Sequence, residues 1–376
     1  MARLKRNKMS LDLHSKPFDE GTIEKLWIFR NYINEWLPVF LSKPNPSVKE
    51  INICDFFAGP GKDSKGVDGS PLILLKSIKQ YENFVKTNNL KVKIYFNDYS
   101  KLKIERLKMN IDKAGSLPKN IEITYSRQSF ETAFDTISSK IDKSNSANFF
   151  FLDQNGIKFI TEDVFQKILS FQKTDFIFFI SSSILYRFKK HPDIQKYFPD
   201  TKSDKFSPSE YFNIHRSVLS YYKSLIPQNE KYFLAPFSIK KGSNIYGLIF
   251  GSRHVLGIEK FLKQCWASDT TRGEANFDID SDNLIENQCC LFPDQEKPKK
   301  ICSFSKALRD GILCGDLKSN KEIFEFSLSQ GFLSSHAKSE LTQMLREGLI
   351  EKVISVSYES WKKKEEFIHL KKVTHA

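Results

Sequence analysis

No run of this sequence stays apolar for the roughly 20 residues that a membrane-spanning helix requires. The longest candidate, residues 176–180, has the length of a strand, so no membrane association is expected. The basic amino terminus leads into no apolar core, and no secretory signal is expected there. Cysteine is sparse: the six are Cys54, Cys265, Cys289, Cys290, Cys302 and Cys314. They form no CxxC pair and no zinc-finger spacing with histidine, so no metal site is assigned, and reduced thiols in a cytoplasmic protein are expected. Two phosphate-cradling loops are missing as well. A GxGxxG motif fails because Ser64 stands at the third position after Gly61. A P-loop would need glycine in place of Phe56 and a hydroxyl in place of Asp63.

What is present is enough apolar material for a large core, 40% of 376 residues, with 33 phenylalanines. Net charge is +13, which favours a polyanionic partner, DNA or RNA. Both ends contribute. Residues 1–16 hold Arg3, Lys5, Arg6, Lys8 and Lys16 against Asp12, and residues 297–376 hold 15 basic and 10 acidic side chains. Solvation alone would also account for such lysine-rich faces.

The chain reads as alternating strands and helices. A basic flexible arm (1–15) precedes an amphipathic helix over 21–41. Strands are predicted at 51–57, 92–97, 121–125, 148–152 and 175–180, and helices at 71–81, 100–114, 130–141 and 162–171. Ser70 is placed as a helix cap with Pro71 at the first helical position. An insertion around 186–206 follows the fifth strand, then a helix over 208–225 begun by Ser207-Pro208-Ser209-Glu210. Strands at 232–236 and 245–250 are separated by too few residues for a crossover helix, so they must form a hairpin. The expected fold is therefore α/β: a doubly wound, Rossmann-like, seven-stranded sheet of the class I S-adenosylmethionine-dependent methyltransferase type, occupying 16–269. Residues 270–300 read as a linker. Over 301–376 come helices at 320–330 and 335–346 (capped by Ser335), a strand at 350–357, a basic turn at 361–364 and a return strand at 367–371. This is the outline of a winged-helix-like domain.

The cofactor loop is placed at Asp55-Phe56-Phe57-Ala58-Gly59-Pro60-Gly61, directly after the first strand. In an open α/β sheet, ligands bind beyond the carboxyl ends of the strands at the switch point. Gly59 and Gly61 allow close backbone approach to a ligand, although a lone GxG also makes a plain tight turn. Asp55 suits the ammonium of an aminoacyl group. Asp98, ending the second strand, suits both ribose hydroxyls of S-adenosylmethionine, or else caps the next helix. Lys62 and Lys65 lie in a long following loop that covers cofactor or meets substrate. Catalysis is placed after the fourth strand, where Asp153 can accept a proton or orient a nucleophile. There Gln154 and Asn155 can meet a base edge, or the segment is a simple turn. Ser181-Ser182-Ser183 and Arg187 lie on the same edge and suit a phosphate or helix capping, whereas Cys54 suits the core.

The combination of Asp55-Phe56-Phe57-Ala58-Gly59-Pro60-Gly61 with Gly69-Ser70-Pro71 resembles the three-Cys-motif partner proteins (TcmP). The likeness runs from about residue 14 to 266 and includes Thr22, Lys25-Leu26, Phe179–Ser183 with Arg187, and Gly247-Leu248-Ile249-Phe250-Gly251. It implies a methyltransferase-like fold, a cofactor loop that includes Phe57 and Ala58, a Lys25 that reaches the active site, and a partner protein bearing three cysteines. Relatives carry Asp-Pro-Phe-Gly where this chain has Asp153-Gln154-Asn155-Gly156, and the double-proline signature of amino methylation is missing. The function expected is a methyltransferase acting on nucleic acid with a partner protein. The alternatives are a catalytically inactive methyltransferase-fold subunit binding nucleic acid or partner, as in a defence or mobile-element system, and methylation of a protein or small molecule.

Overall fold

The computed structural model describes residues 16–41, 48–87, 90–142, 144–154, 156–188, 190–192, 195, 211–283 and 297–371. The predicted basic arm, most of the insertion around 186–206, the Ser207-Pro208-Ser209-Glu210 helix start and the Cys289–Cys290 doublet lie outside them. The elements run α1 (Glu20–Leu41), β1 (Glu50–Asp55), α2 (Ser70–Lys79), α3 (Glu82–Thr87), β2 (Lys91–Asn97), α4 (Lys101–Lys113), β3 (Ile121–Ser126), α5 (Phe130–Ser138) and β4 (Ser146–Leu152). They continue with α6 (Glu162–Leu169), β5 (Thr174–Ile180), α7 (Ser182–Phe188), α8 (Ile214–Ser224), β6 (Phe233–Lys241), β7 (Asn244–Ser252) and α9 (Val255–Ser268).

The seven strands lie in the order β3-β2-β1-β4-β5-β7-β6, with β7 antiparallel to both neighbours. This is the sheet of the methyltransferase type, hairpin included. The hairpin strands are longer than predicted and reverse at Gly242-Ser243. β4 shows why the sheet is central: each of its residues is buried, as a strand covered on both faces must be. Its phenylalanines alternate between two aromatic layers. Phe149 and Phe151 meet Tyr32 and Phe29 of α1, with centroids 5.7 and 4.4 Å apart. Phe150 faces the other way, toward Phe171 at 5.5 Å.

Two glycines of β7 make room for rings. Gly251 lies opposite Phe176 of β5, and a Cβ there would fall 2.2 Å from the ring. A Cβ on Gly247 would fall 2.1 Å from His215 of α8. His215 is wholly buried: Nε2 donates to Leu248 O at 2.8 Å, which leaves Nδ1 to accept from Ser182 Oγ at 2.9 Å. Burial lowers its pKa to about 4, so the ring is neutral.

The carboxyl-terminal unit holds α10 (Lys299–Leu313), α11 (Asn320–Ser329), α12 (Ser334–Arg346) and α13 (Tyr358–Lys362) around Phe304, Leu308, Phe324, Leu341 and Met344. α10 was not foreseen. Its apolar positions sit among Lys299, Lys300, Lys306 and Arg309, which made its start read as a polar linker. Residues 350–357 and 367–371 form no continuous strands. They meet through one isolated bridge, Ile350 to Leu370, while Phe367 bridges to Ser319 before α11, and 358–362 is helix rather than turn. Ser335 is not a cap: α12 starts after Leu333, whose N–H donates to His336 Nδ1 at 3.1 Å.

This unit is bolted to the sheet domain. Trp266 of α9 donates Nε1–H to Gly331 O at 3.0 Å and lies against Phe332 and His336. Beside it, buried Glu274 joins Arg216 of α8 at 2.6 Å and Lys300 of α10 at 3.1 Å. Residues 270–283 thus carry part of the seam rather than hanging free between two units. The remains of the wing serve the same seam, with Tyr358 and Trp361 against His254 and Lys231 paired to Glu325. Left outward on α12 are Ser335, Lys338, Ser339, Gln343 and Arg346, all exposed.

Candidate functional site

A cavity of about 210 Å³ opens at the carboxyl ends of the parallel strands, lined by Lys25, Phe57, Ala58, Gly61, Asp98 and Asp153 among others. Of the sequence-predicted site, Gly59 and Asp55 do not line it, Asp55 being bonded to the lining residue Ser70, and Asn155 is outside the described residues.

The loop after β1 is held from three sides. Gly59 and Gly61 have φ of 62° and 82°, the left-handed region glycine tolerates. Ala58 N–H donates to Asn97 O at 2.9 Å, and Gly59 N–H to Asp98 Oδ2 at 3.2 Å. Asn110 of α4 donates to Pro60 O at 2.8 Å, and Gly69 N–H to Gly61 O at 2.7 Å. A Cβ on Gly61 would approach Leu107 to 2.8 Å, so this turn fits tightly against α4.

Asp55 closes β1 and is buried. It accepts Ser70 Oγ–H at 2.7 Å and Phe57 N–H at 3.1 Å. Burial raises its pKa to about 7, with Asp153 and Asp98 adding to the rise and the two hydrogen bonds opposing it. Ser70 therefore serves the carboxylate and does not cap α2; Gly69 occupies the cap position. Asp98 is half-buried. Its Oδ1 accepts Ser100 N–H at 2.8 Å and its Oδ2 holds Gly59, while α4 is capped by Ser100 itself. Each oxygen keeps a further lone pair for a ligand.

Lys25, on α1, forms an ion pair with Asp153 beyond β4, and its ammonium lies 4.6 Å above the ring of Phe179. Phe179 stacks on Tyr246 of β7 at 5.4 Å and 12°. Gln154 does not face the cavity: it is fully buried and its Oε1 accepts Phe159 N–H at 2.9 Å. Nor do the serines offer a phosphate site. Ser182 holds His215, and Ser183 bridges the backbone of Ile245. Arg187 reaches Tyr211 and Ser243 O, each at 3.4 Å, and does not line the cavity. Cys54 is core, as expected, its thiol pushed well above the ordinary range by burial.

A strap over the mouth was not foreseen. Phe18 N–H donates to Asp63 at 2.8 Å, and Asp19 pairs with Lys241 of the hairpin at 2.6 Å. Asp63 also accepts Lys65 and Val67 N–H, so the long loop folds upon its own aspartate. The Asp63-to-Gly66 spacing is a turn signal. Its tie to residue 18, 45 positions away, leaves no trace in the sequence.

Residues 278–356 match a family described as the GMT-like wHTH domain. No curated protein matches the chain. Among solved structures it is similar to Trm1 from Pyrococcus horikoshii in complex with S-adenosyl-L-methionine, at 11% identity, covering 92% of this chain and 90% of that one, with a TM-score of 0.37. It is similar to a predicted O-methyltransferase from Agrobacterium tumefaciens, at 10% identity over 59% of this chain and 79% of that one, TM-score 0.26. A loganic acid methyltransferase with SAH matches at 10% identity over 64% and 97%, TM-score 0.27.

Proposed function

We propose that the protein is an S-adenosylmethionine-dependent methyltransferase acting on nucleic acid, DNA or RNA, which its winged-helix unit helps to dock. The observation that carries this reading is the meeting of Ala58, Gly61, Asp98 and Asp153 in one cavity at the sheet edge, the switch point of the fold, with Asp55 bonded to the lining residue Ser70. The residues suit the cofactor. Asp98 has lone pairs to spare for ribose hydroxyls, and Ala58 and Gly61 give a wall without bulk. Asp55, a buried carboxylate with no cation bonded to it among the described residues, suits a positively charged aminoacyl end. Bound there, the cofactor supplies an electrophilic methyl group. The charge of +13 and the polar, cationic outer face of α12 support a nucleic-acid substrate.

The likeness to the three-Cys-motif partner family supports a protein partner acting beside it. Among the described residues Cys54, Cys265, Cys302 and Cys314 are unpaired, which supports a cytoplasmic setting.

The test is calorimetric titration of S-adenosylmethionine into the full chain, with Asp98→Ala as control. Binding that the substitution removes is expected, in a variant that loses a few degrees of melting temperature with its bonds to Gly59 and Ser100 but is folded at the assay temperature. An intact protein that binds no cofactor would overturn the reading.

A further inference from the structure

The pair Lys25–Asp153 joins residues 128 apart at the mouth of the cavity. Lys25 is buried in α1, held by a carboxylate and an aromatic face, so its ammonium has one fixed position. Granting the methyltransferase reading above, on which this rests, we propose that the methyl acceptor is a hydroxyl oxygen, the ribose 2′-OH of RNA, activated by Lys25 and Asp153.

The charge of the pair discriminates between acceptors. An amine nitrogen gains positive charge as it attacks a methyl group, and a fixed ammonium beside it opposes that. A hydroxyl oxygen sheds its proton and carries negative charge, which the same ammonium stabilises. The hydrogen-bonding inventory agrees. An exocyclic amine needs acceptors for both its N–H groups, yet Gln154 is turned inward with its oxygen already bonded to Phe159. A carbon acceptor calls for a covalent nucleophile, and no cysteine lines the cavity among the described residues. Within a nucleic-acid strand the free hydroxyl is the ribose 2′-OH, the group that separates RNA from DNA. The stacked rings of Phe179 and Tyr246 wall the cavity beside the pair, giving the attached base an aromatic surface.

In the step, the 2′ oxygen bonds to the methyl carbon as the carbon–sulfur bond breaks. The electron pair stays on sulfur, leaving S-adenosylhomocysteine. The hydroxyl proton passes to Asp153, whose side chain is 25% exposed and hands it to water. Lys25 keeps its charge throughout.

The experiment uses the full chain, a mixed-sequence RNA and its 2′-deoxy counterpart. Cofactor binding is measured by calorimetry, strand binding without cofactor by fluorescence anisotropy, and labelled products after digestion to nucleosides. The label is expected on ribose, with none on the deoxy strand. Lys25→Met should lower transfer about 100-fold or more, abolish the preference for RNA over the deoxy strand in binding, and leave cofactor affinity within about threefold. Asp153→Asn should also lose transfer, which guards against a folding defect peculiar to position 25. Label on a base nitrogen or carbon, equal transfer to the deoxy strand, undiminished transfer by Lys25→Met, or cofactor binding without transfer to RNA would each overturn the proposal. Failure of cofactor binding would instead remove the reading beneath it, and the calorimetry separates the two.

Discussion

Asp55→Asn should stabilise the protein while weakening its grip on cofactor. The folded pKa of Asp55 is raised to about 7 from an ordinary 3.8, chiefly by burial. A carboxylate with a raised pKa contributes stability that is full below the unfolded value and is lost as pH rises through the folded one. At 1.36 kcal/mol per unit, the loss is about 4 kcal/mol at pH 8 and under about 2 kcal/mol at pH 5. Asparagine has the same shape and does not ionise: its oxygen accepts Phe57 N–H, and its Nδ2, standing where Oδ2 stood, donates to Ser70 Oγ. Urea unfolding should therefore show the variant more stable than the parent, with the gap about 2 kcal/mol wider at pH 8 than at pH 5. Calorimetry at pH 8 should show S-adenosylmethionine binding at least tenfold weaker, since the variant lacks the charge proposed to meet the ammonium. In the parent, affinity should climb as pH rises toward 7 and level off above it. A variant that is destabilised at pH 8, or stabilised equally at both pH values, would refute the argument that ionised Asp55 strains the cofactor-free fold.

Gly247→Ala drives a methyl group into the pinned ring of His215. Overpacking and the broken Ser182–His215–Leu248 bonds together should cost about 2–5 kcal/mol in urea unfolding. Adding His215→Ala should recover part of that loss; a cost under about 1 kcal/mol for the single change would contradict the geometry. Glu274→Gln removes the carboxylate between Arg216 and Lys300, leaving Arg216 on Asp280 alone, and should cost about 2 kcal/mol at pH 7. Burial works to raise the pKa of Glu274, but Lys300 and Arg216 outweigh it and hold it near about 2. Its contribution is therefore present above about 4.5 and lost as pH falls through about 2, so the gap between the melting temperatures of parent and variant should shrink by roughly half at pH 3 and close only near pH 2.

The sheet was legible because its signals are local. A strand such as β4, apolar at nearly every position, followed by a capped helix, needs no distant partner to be recognised. The short spacing of β6 and β7 dictates a hairpin by chain length alone. Lys25, Asp98 and Asp153 could be expected at one place, and do line one cavity, because the switch point lies at strand ends and the resemblance to a known family falls there. The misreadings share a different cause. Ser70, Gln154, Ser182 and Ser183 are polar residues at the right edge, but the three hydroxyls and the Gln154 oxygen are committed to neighbours within the protein. Only packing decides whether a polar side chain faces a ligand or a neighbour. The two wing strands were misread for a related reason: Tyr358 and Trp361, just after the first, sit in a short helix against α11 and His254.

The partners of α1 come from both ends of the chain. α2 follows it closely, but Asp19 pairs with Lys241 and Ser268 bonds to Glu24, contacts 222 and 244 residues apart. On a ribosome adding about 5–20 residues per second, α1 leaves the exit tunnel roughly 10–45 seconds before the hairpin that will seat it. During that interval Tyr32, Trp36 and Leu37 belong to a greasy helix with half its cradle unmade. Synthesis of this protein therefore includes a period in which its first helix is a natural client for chaperones, and the candidate catalytic lysine that helix carries takes its place among the last.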